Sequence, residues 1–278
     1  MPSHAFIPFN ENGFSHPKCY LGCTNGCSEK ISGEHYFSES LLHQIERTNK
    51  TIDLAGVKWL PPEHWKSVGK SALTAKILCK RHNELLSPLD TEIAHLSRHI
   101  ADIDGEFLKP NPTSLHFRIN GALLERWALK TMIGLVESRQ VASKNGIEYS
   151  YKNECIRLLC DPNYDWPLNW GLYFASSTEP VYFSRSFEFR LRSNDATGLV
   201  LGADLVFNGI TTTLILGRPG NPSAFGQFRP TSVVLRKDKS LSTISLDWER
   251  LNPGPPFTLF HKGTYHGLAP GHDLPRAD

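Results

Sequence analysis

The sequence has no apolar run near the roughly 18 residues that a membrane-crossing helix needs, so no membrane partner is expected. Its opening stretch, MPSHAFIPFNENGF, lacks the basic region and apolar core of a secretory signal, and a cytoplasmic location is the expectation. Neither sign of charge dominates. Thirty Lys and Arg stand against 28 Asp and Glu, a formal balance of +2, so a surface for nucleic acid would have to be a local patch. No clean Cys-x-x-Cys pair is present, and no internal repeat stands out. The glycine- and proline-rich RPGNPSAFGQFRP at 218–230 holds Arg218 and Arg229 but not the lysine and spacing of a Walker phosphate loop. It reads as a surface loop able to meet a partner.

What the chain does have is enough length and apolar content for an ordered core. At 278 residues, 40% hydrophobic and 21% charged, one or two domains are expected. The six cysteines are placed unevenly. Cys155 and Cys160 sit in NECIRLLC, a helical, apolar stretch, and read as buried thiols. Cys19, Cys23 and Cys27 lie four apart, and Cys79-Lys80-Arg81-His82-Asn83 follows later. In a cytosolic chain, clustered cysteines argue for metal before disulfide.

Structural zinc takes four Cys or His donors in a tetrahedron. Cys79 and His82 have a spacing that lets a tight turn aim both at one ion. Two of Cys19, Cys23 and Cys27 would complete the set. Cys19 and Cys27 are preferred, because the loop between them could close over the ion, although Cys23 could replace either and His16 is a further candidate.

Helical spacing marks SESLLHQIER at 38–47, with Ser38 as a candidate cap, and NELLSPLDTEIAHLSRHIAD, with Ser87 capping a first turn at Pro88. Residues 48–72 read as an insertion broken at Pro61-Pro62. After a linker at KPNPTS, residues 121–140 give the clearest helix, with Leu123, Trp127, Met132 and Leu135 on its core face. Another short helix covers Glu154–Cys160. From residue 171 onward, short runs rich in β-branched and aromatic residues predict a mostly antiparallel sheet laid on that helix. The last thirty residues, rich in proline and glycine, are expected to be an irregular tail.

CYLGCTNGCSEKISGEHYFSESLL, followed by LCKRHNELLSPLD, resembles the HNH endonuclease superfamily, in its zinc-knuckled ββα-metal branch. The resemblance covers residues 16–100. It implies a hairpin carrying an acidic-His pair, then a second knuckle joined to a residue that opens a helix. By position, Cys79 and His82 match the second knuckle, Glu34 a metal-ligating carboxylate, His35 the general base, and Asn83 the residue at the helix start. The sequence departs from the family pattern at Glu34, where Asp is common, at Ser38, where proline is typical, and in the 56–71 segment.

The implied fold is α+β. An HNH-like treble-clef zinc module at 1–108 would precede a helix packed on a mostly antiparallel sheet at 109–278. The implied function is hydrolysis of phosphodiesters in DNA, with structural Zn2+ and catalytic Mg2+ or Mn2+ held by Glu34 and Asn83. A hard carboxylate suits those ions, and a neutral His35 could take a proton from water. The alternative is a non-catalytic zinc-stabilised protein that binds protein or nucleic acid. Lys76, Lys80 and Arg81 are candidate phosphate contacts, and Asp90, which with Glu92 follows Asn83 on the same expected helix, could reach the same face as Asn83 and orient a ligand. His95 and His99 share a helical face. The β-rich part could hold a protein partner, and a single cutting centre would dimerise or act twice to break a duplex.

Overall fold

The computed structural model describes residues 6–10, 12–46, 49–61, 64–141, 146–175, 181–184, 187–249 and 253–265. In chain order these form β1 (Ile31–His35), α1 (Glu39–Ile45), β2 (Ile52–Leu54), β3 (Lys66–Val68), β4 (Thr74–Cys79) and α2 (Lys80–Phe107). Then come β5 (His116–Asn120), α3 (Gly121–Ser138), α4 (Glu154–Cys160), β6 (Gly171–Phe174), β7 (Val181–Ser184) and β8 (Phe187–Ser193). The last are β9 (Val200–Phe207), β10 (Ile210–Ile215), β11 (Gln227–Phe228), β12 (Ser232–Lys237), β13 (Ser240–Asp247) and β14 (Phe257–Tyr265). The architecture is mixed α+β.

β1 finds its partner across the insertion and not in a short local hairpin. It pairs antiparallel with β4, with Ile31 opposite Cys79 and His35 opposite Thr74. Between the two strands lie α1 and, within the insertion, the β2–β3 ladder. Arg47 and Pro62, parts of the expected helix and break there, lie outside the described residues.

Helix α2 starts earlier than the pattern around Ser87 and Pro88 suggests. Its cap is Cys79, whose side chain accepts from the His82 amide, and Pro88 lies inside the helix. Proline there cannot donate to the carbonyl of Glu84 four residues back. The Ser87 hydroxyl donates to that oxygen instead, at 2.8 Å.

One five-stranded sheet, ordered β11-β6-β10-β9-β8, is antiparallel throughout. The other is ordered β5-β13-β12-β14-β7 and joins β5 to β13, β12 to β14 and β14 to β7 in parallel. The antiparallel expectation thus describes one sheet only, because alternation along a strand does not encode the direction of its partner. The stretch expected as an irregular tail contains β14, while residues 266–278 lie outside the described residues.

Helix α3 begins where the Asn120 side chain accepts from the Leu123 amide at 3.0 Å, and ends at Arg139 in the left-handed region. It is buried nearly all round, including Leu123, Trp127, Met132 and Leu135. A helix with no wet face belongs at the centre of a fold. α3 packs against α2, α4 and β4, and against strands of both five-stranded sheets. Gly121 is required at its start, since a Cβ there would lie 2.7 Å from the Trp248 ring. A single hydrophobic cluster unites Leu21, Leu41 and Leu86 with Trp127, Leu205 and Leu235. The 108/109 boundary drawn from sequence therefore separates α2 from β5 but does not divide the core.

Candidate metal centre and the adjoining polar cluster

The end of β4 and the first turn of α2 bring Cys79 and His82 together, and the segment around the 3-10 turn Gly22–Thr24 brings Cys19 and Cys27. Their donor atoms all lie within 4.8 Å of one another. Cys19 Sγ is 3.3 Å and Cys27 Sγ 3.6 Å from His82 Nδ1. A tetrahedron with zinc–sulfur bonds of about 2.3 Å sets its donors roughly 3.5–3.8 Å apart. Three sulfurs and one imidazole are a zinc donor set, and this cluster could hold such an ion.

The surroundings fix the roles of these atoms. The Thr24 hydroxyl donates to the Leu21 carbonyl at 2.8 Å, leaving its lone pairs for His82 Nε2 at 3.3 Å. Nε2 therefore carries the proton, and Nδ1 offers its lone pair to the sulfur side. Burial, then the nearby Arg81 charge, hold His82 below the usual imidazole range, which favours the neutral ligand form. Burial opposes a thiolate at Cys79, but N–H donors from His82 and Ser28 outweigh it and hold the thiol below its ordinary range. Burial pushes Cys19 up to about 12, so a thiolate there depends on a cation.

Cys23 is exposed and outside the cluster. Cys23→Ser should leave the zinc content of purified protein at its wild-type value, and metal analysis showing loss would reassign the site. The ring of His16 faces its own turn, where Nδ1 accepts from the Lys18 amide at 3.1 Å. Cys155 and Cys160 are buried on α4.

Glu34 and His35 end β1, just past an irregularity in the β1–β4 ladder between Ser32 and Glu34. Glu34 turns inward and is 5% exposed, while His35 stays partly exposed. Glu34 Oε1 meets Lys130 Nζ of α3 at 2.7 Å, and the same ammonium is 2.5 Å from Asp90 Oδ2 of α2. Asp90 also accepts from the Ser38 hydroxyl, which accepts from Trp127 Nε1 at 2.7 Å. Burial, then the two carboxylates acting against it, set Lys130; the carboxylates win and hold its pKa above the lysine range. Burial raises Glu34, and Lys130 opposes the rise.

Tyr20, Glu34, His35, Ser38, Asp90 and Lys130 surround a gap with no room for a water molecule. The Tyr20 hydroxyl is buried there without a hydrogen-bond partner. Burial holds His35 below the usual imidazole range, with Glu39 acting against it, its carboxylate 3.9 Å from Nδ1.

Asn83 is not part of this group, for its side chain donates to Ser32 Oγ at 3.2 Å. Glu92 accepts from the Asn120 amide. His99 stacks on Phe117 with centroids 4.0 Å apart, and His95 is 6.3 Å from it, so the two histidines do not converge on one point. Lys76, Lys80 and Arg81 are exposed, Lys80 beside Glu84 and Arg81 donating to the Gly26 carbonyl. Arg229 is not on a surface loop. It is buried and bidentate to Glu125 of α3, with both contacts at 2.9 Å.

Sequence reasoning missed Lys130 and the Glu125–Arg229 pair. Their signal was there: Glu125, Arg126 and Lys130 place three buried charges inside a helix whose other buried residues are mostly apolar. Such charges need buried partners.

No family model matches the chain, and neither a curated protein nor a solved structure matches it. Among the described residues, no helix is long and apolar enough to cross a membrane.

Proposed function

We propose that the chain is a zinc-stabilised, metal-dependent endonuclease of the HNH type that hydrolyses phosphodiesters in DNA. One observation carries this reading. β1 and β4 pair antiparallel, β4 runs directly into α2, and the Cys19–Cys27–Cys79–His82 donors gather at that junction. That order supports reading this part of the chain as a ββα-metal, treble-clef module, with His35 at the end of its first strand. In this reading zinc is structural and holds β1 against α2. His35, kept neutral by burial, takes the proton of the attacking water. A Mg2+ or Mn2+ ion, when bound, would neutralise charge on the phosphate and the leaving oxygen. Glu34 can serve that ion only when Lys130 releases it.

That last condition favours a second reading. Lys130 occupies both Glu34 and Asp90, the gap between them is closed, and Asn83 faces Ser32. A zinc-stabilised binding protein without catalysis fits those contacts.

His35→Ala separates the two. Under the nuclease reading it abolishes Mg2+- or Mn2+-dependent nicking of supercoiled plasmid, with zinc content and thermal melting unchanged. Wild-type nicking should persist as pH falls through about 6.5, where an ordinary imidazole protonates, and fail only below it. Full activity in the variant overturns the assignment. A wild type that neither nicks nor binds a second metal at millimolar Mn2+ is the binding protein.

A further inference from the structure

Basic charge is concentrated in one part of the chain. Between residues 58 and 81 stand Lys58, Lys66, Lys70, Lys76, Lys80 and Arg81 against the single acid Glu63, in a protein whose total is +2. This stretch also carries two exposed indoles, Trp59 at 40% and Trp65 at 44%. Lys66 Nζ lies 5.7 Å from the centre of the Trp59 ring. The arm that holds them is anchored at both ends. Lys58 N donates to the Gln140 carbonyl at 2.6 Å, just past the end of α3. On the return, Lys70 lies 3.5 Å from Glu46 and 2.8 Å from His43 Nε2. His43 is 3.7 Å from Glu39, the residue beside His35.

Trp65 also lines a groove of about 670 Å3 between the insertion and the antiparallel sheet. The groove starts at Tyr36 and Phe37, which directly follow His35, and runs to Phe189, Arg190 and Phe225. Its size is that of a small-ligand pocket, about 300–1,000 Å3, and not of a channel for a duplex. Two of its acids are already engaged. Asp53 accepts from Ser67 at 2.6 Å, and Asp204 pairs with Arg192 at 2.8 Å. Among its aromatics the groove carries three acids, Asp53, Glu188 and Asp204, and two arginines, Arg190 and Arg192, while the segment 58–81 that supplies Trp65 is rich in basic residues.

We propose that this groove and arm take unpaired nucleotides of a nucleic-acid strand, an inference that rests on the phosphodiesterase reading of His35. Neutral bases stack on Trp65 and the groove aromatics, and Trp59 offers a second ring on the arm. Phosphates lie along the lysines. Every base presents a π-face, so such a platform tolerates sequence but requires bases free of their pairs. Tyr36, at one end of the groove, directly follows His35 in the chain, so a strand laid here lies near that residue.

The test is fluorescence anisotropy of a 5′-labelled 12-nucleotide oligothymidylate with the full zinc-loaded chain, at low salt and without added divalent ion. The single strand should bind at least about ten-fold tighter than a hairpin duplex of the same length. Trp59→Ala with Trp65→Ala should weaken it by about ten-fold or more, with zinc content and melting unchanged. Lys66→Glu should weaken it and flatten its dependence on salt. Equal affinity for the duplex, an unaltered affinity in the double tryptophan variant, or no binding overturns the proposal. An oligonucleotide held in this way but never cut with Mn2+ supports the groove and removes the nuclease reading. Cutting that is indifferent to both tryptophans does the reverse.

Discussion

Cys79→Ser should reduce bound zinc from about one equivalent to less than half and loosen the first hundred residues more than the sheets. Serine is a favourable N-cap, so the variant removes a metal donor while keeping a side-chain acceptor at the start of α2. What is lost is the tie between the Gly22–Thr24 turn, the end of β4 and α2. Few apolar side chains hold residues 19–30; Leu21 is the one fully buried aliphatic among them. A metal ion held by these donors would therefore contribute much of their order, as in small metal-bound modules. Hydrogen exchange should accelerate in β1, β4 and the first turn of α2, with smaller changes in β9, β10 and β12. Less than half an equivalent of zinc in intact wild type, or unchanged zinc in the variant, defeats the assignment.

The second large effect concerns Lys130. Lys130→Met keeps the volume of the side chain and removes its charge, leaving Glu34 and Asp90 without their common partner. Removing one member of a buried ion pair costs about 3–5 kcal/mol. The loss should depend on pH in a definite direction. Burial and the neighbouring Asp90 both raise Glu34, and Lys130 is the group that lowers it. Without Lys130 the folded pKa of Glu34 moves further above its unfolded value. The folded state then binds the proton more tightly than the unfolded chain, so stability rises as pH falls from 7 through that raised pKa. Denaturation of the variant at pH 5 and pH 7 reads this out. A penalty under about 1 kcal/mol, or one that grows on acidification, would show that the cluster is not a stabilising ion network.

The metal donors could be read from the sequence because ligation is written in residue type and short spacing. Cys79 and His82 sit in one turn, and one strand–helix junction delivers both. The choice between Cys23 and Cys27 was harder. It depends on the 3-10 turn Gly22–Thr24 and the left-handed Asn25 and Gly26, which present Cys27 to the cluster and leave Cys23 outside. α3 was legible from its apolar spacing, but its charged residues were not assigned partners, since Lys130 meets Glu34 and Asp90 only after three separate elements pack. Asn83 shows the converse. Its place beside the knuckle suggested a ligand, yet helical geometry points it at Ser32. The strands of the second sheet were visible as strands, but the parallel neighbours of β5 and β7 come from far along the chain.

That long-range closure has a consequence for how the protein is made. Strand β5 waits for β13, and β7 waits for β14, before either has a partner on that side. The metal donors are complete once His82 has been synthesised. At about 5–20 residues per second, the ribosome needs roughly 10–40 s more to reach the end of β14. During that interval Glu34 and Asp90 first lack Lys130, and α3 then lacks the strands that cover it. A zinc ion captured early could hold the first strands in register through this exposed period, making metal supply during translation a determinant of yield as well as of final stability.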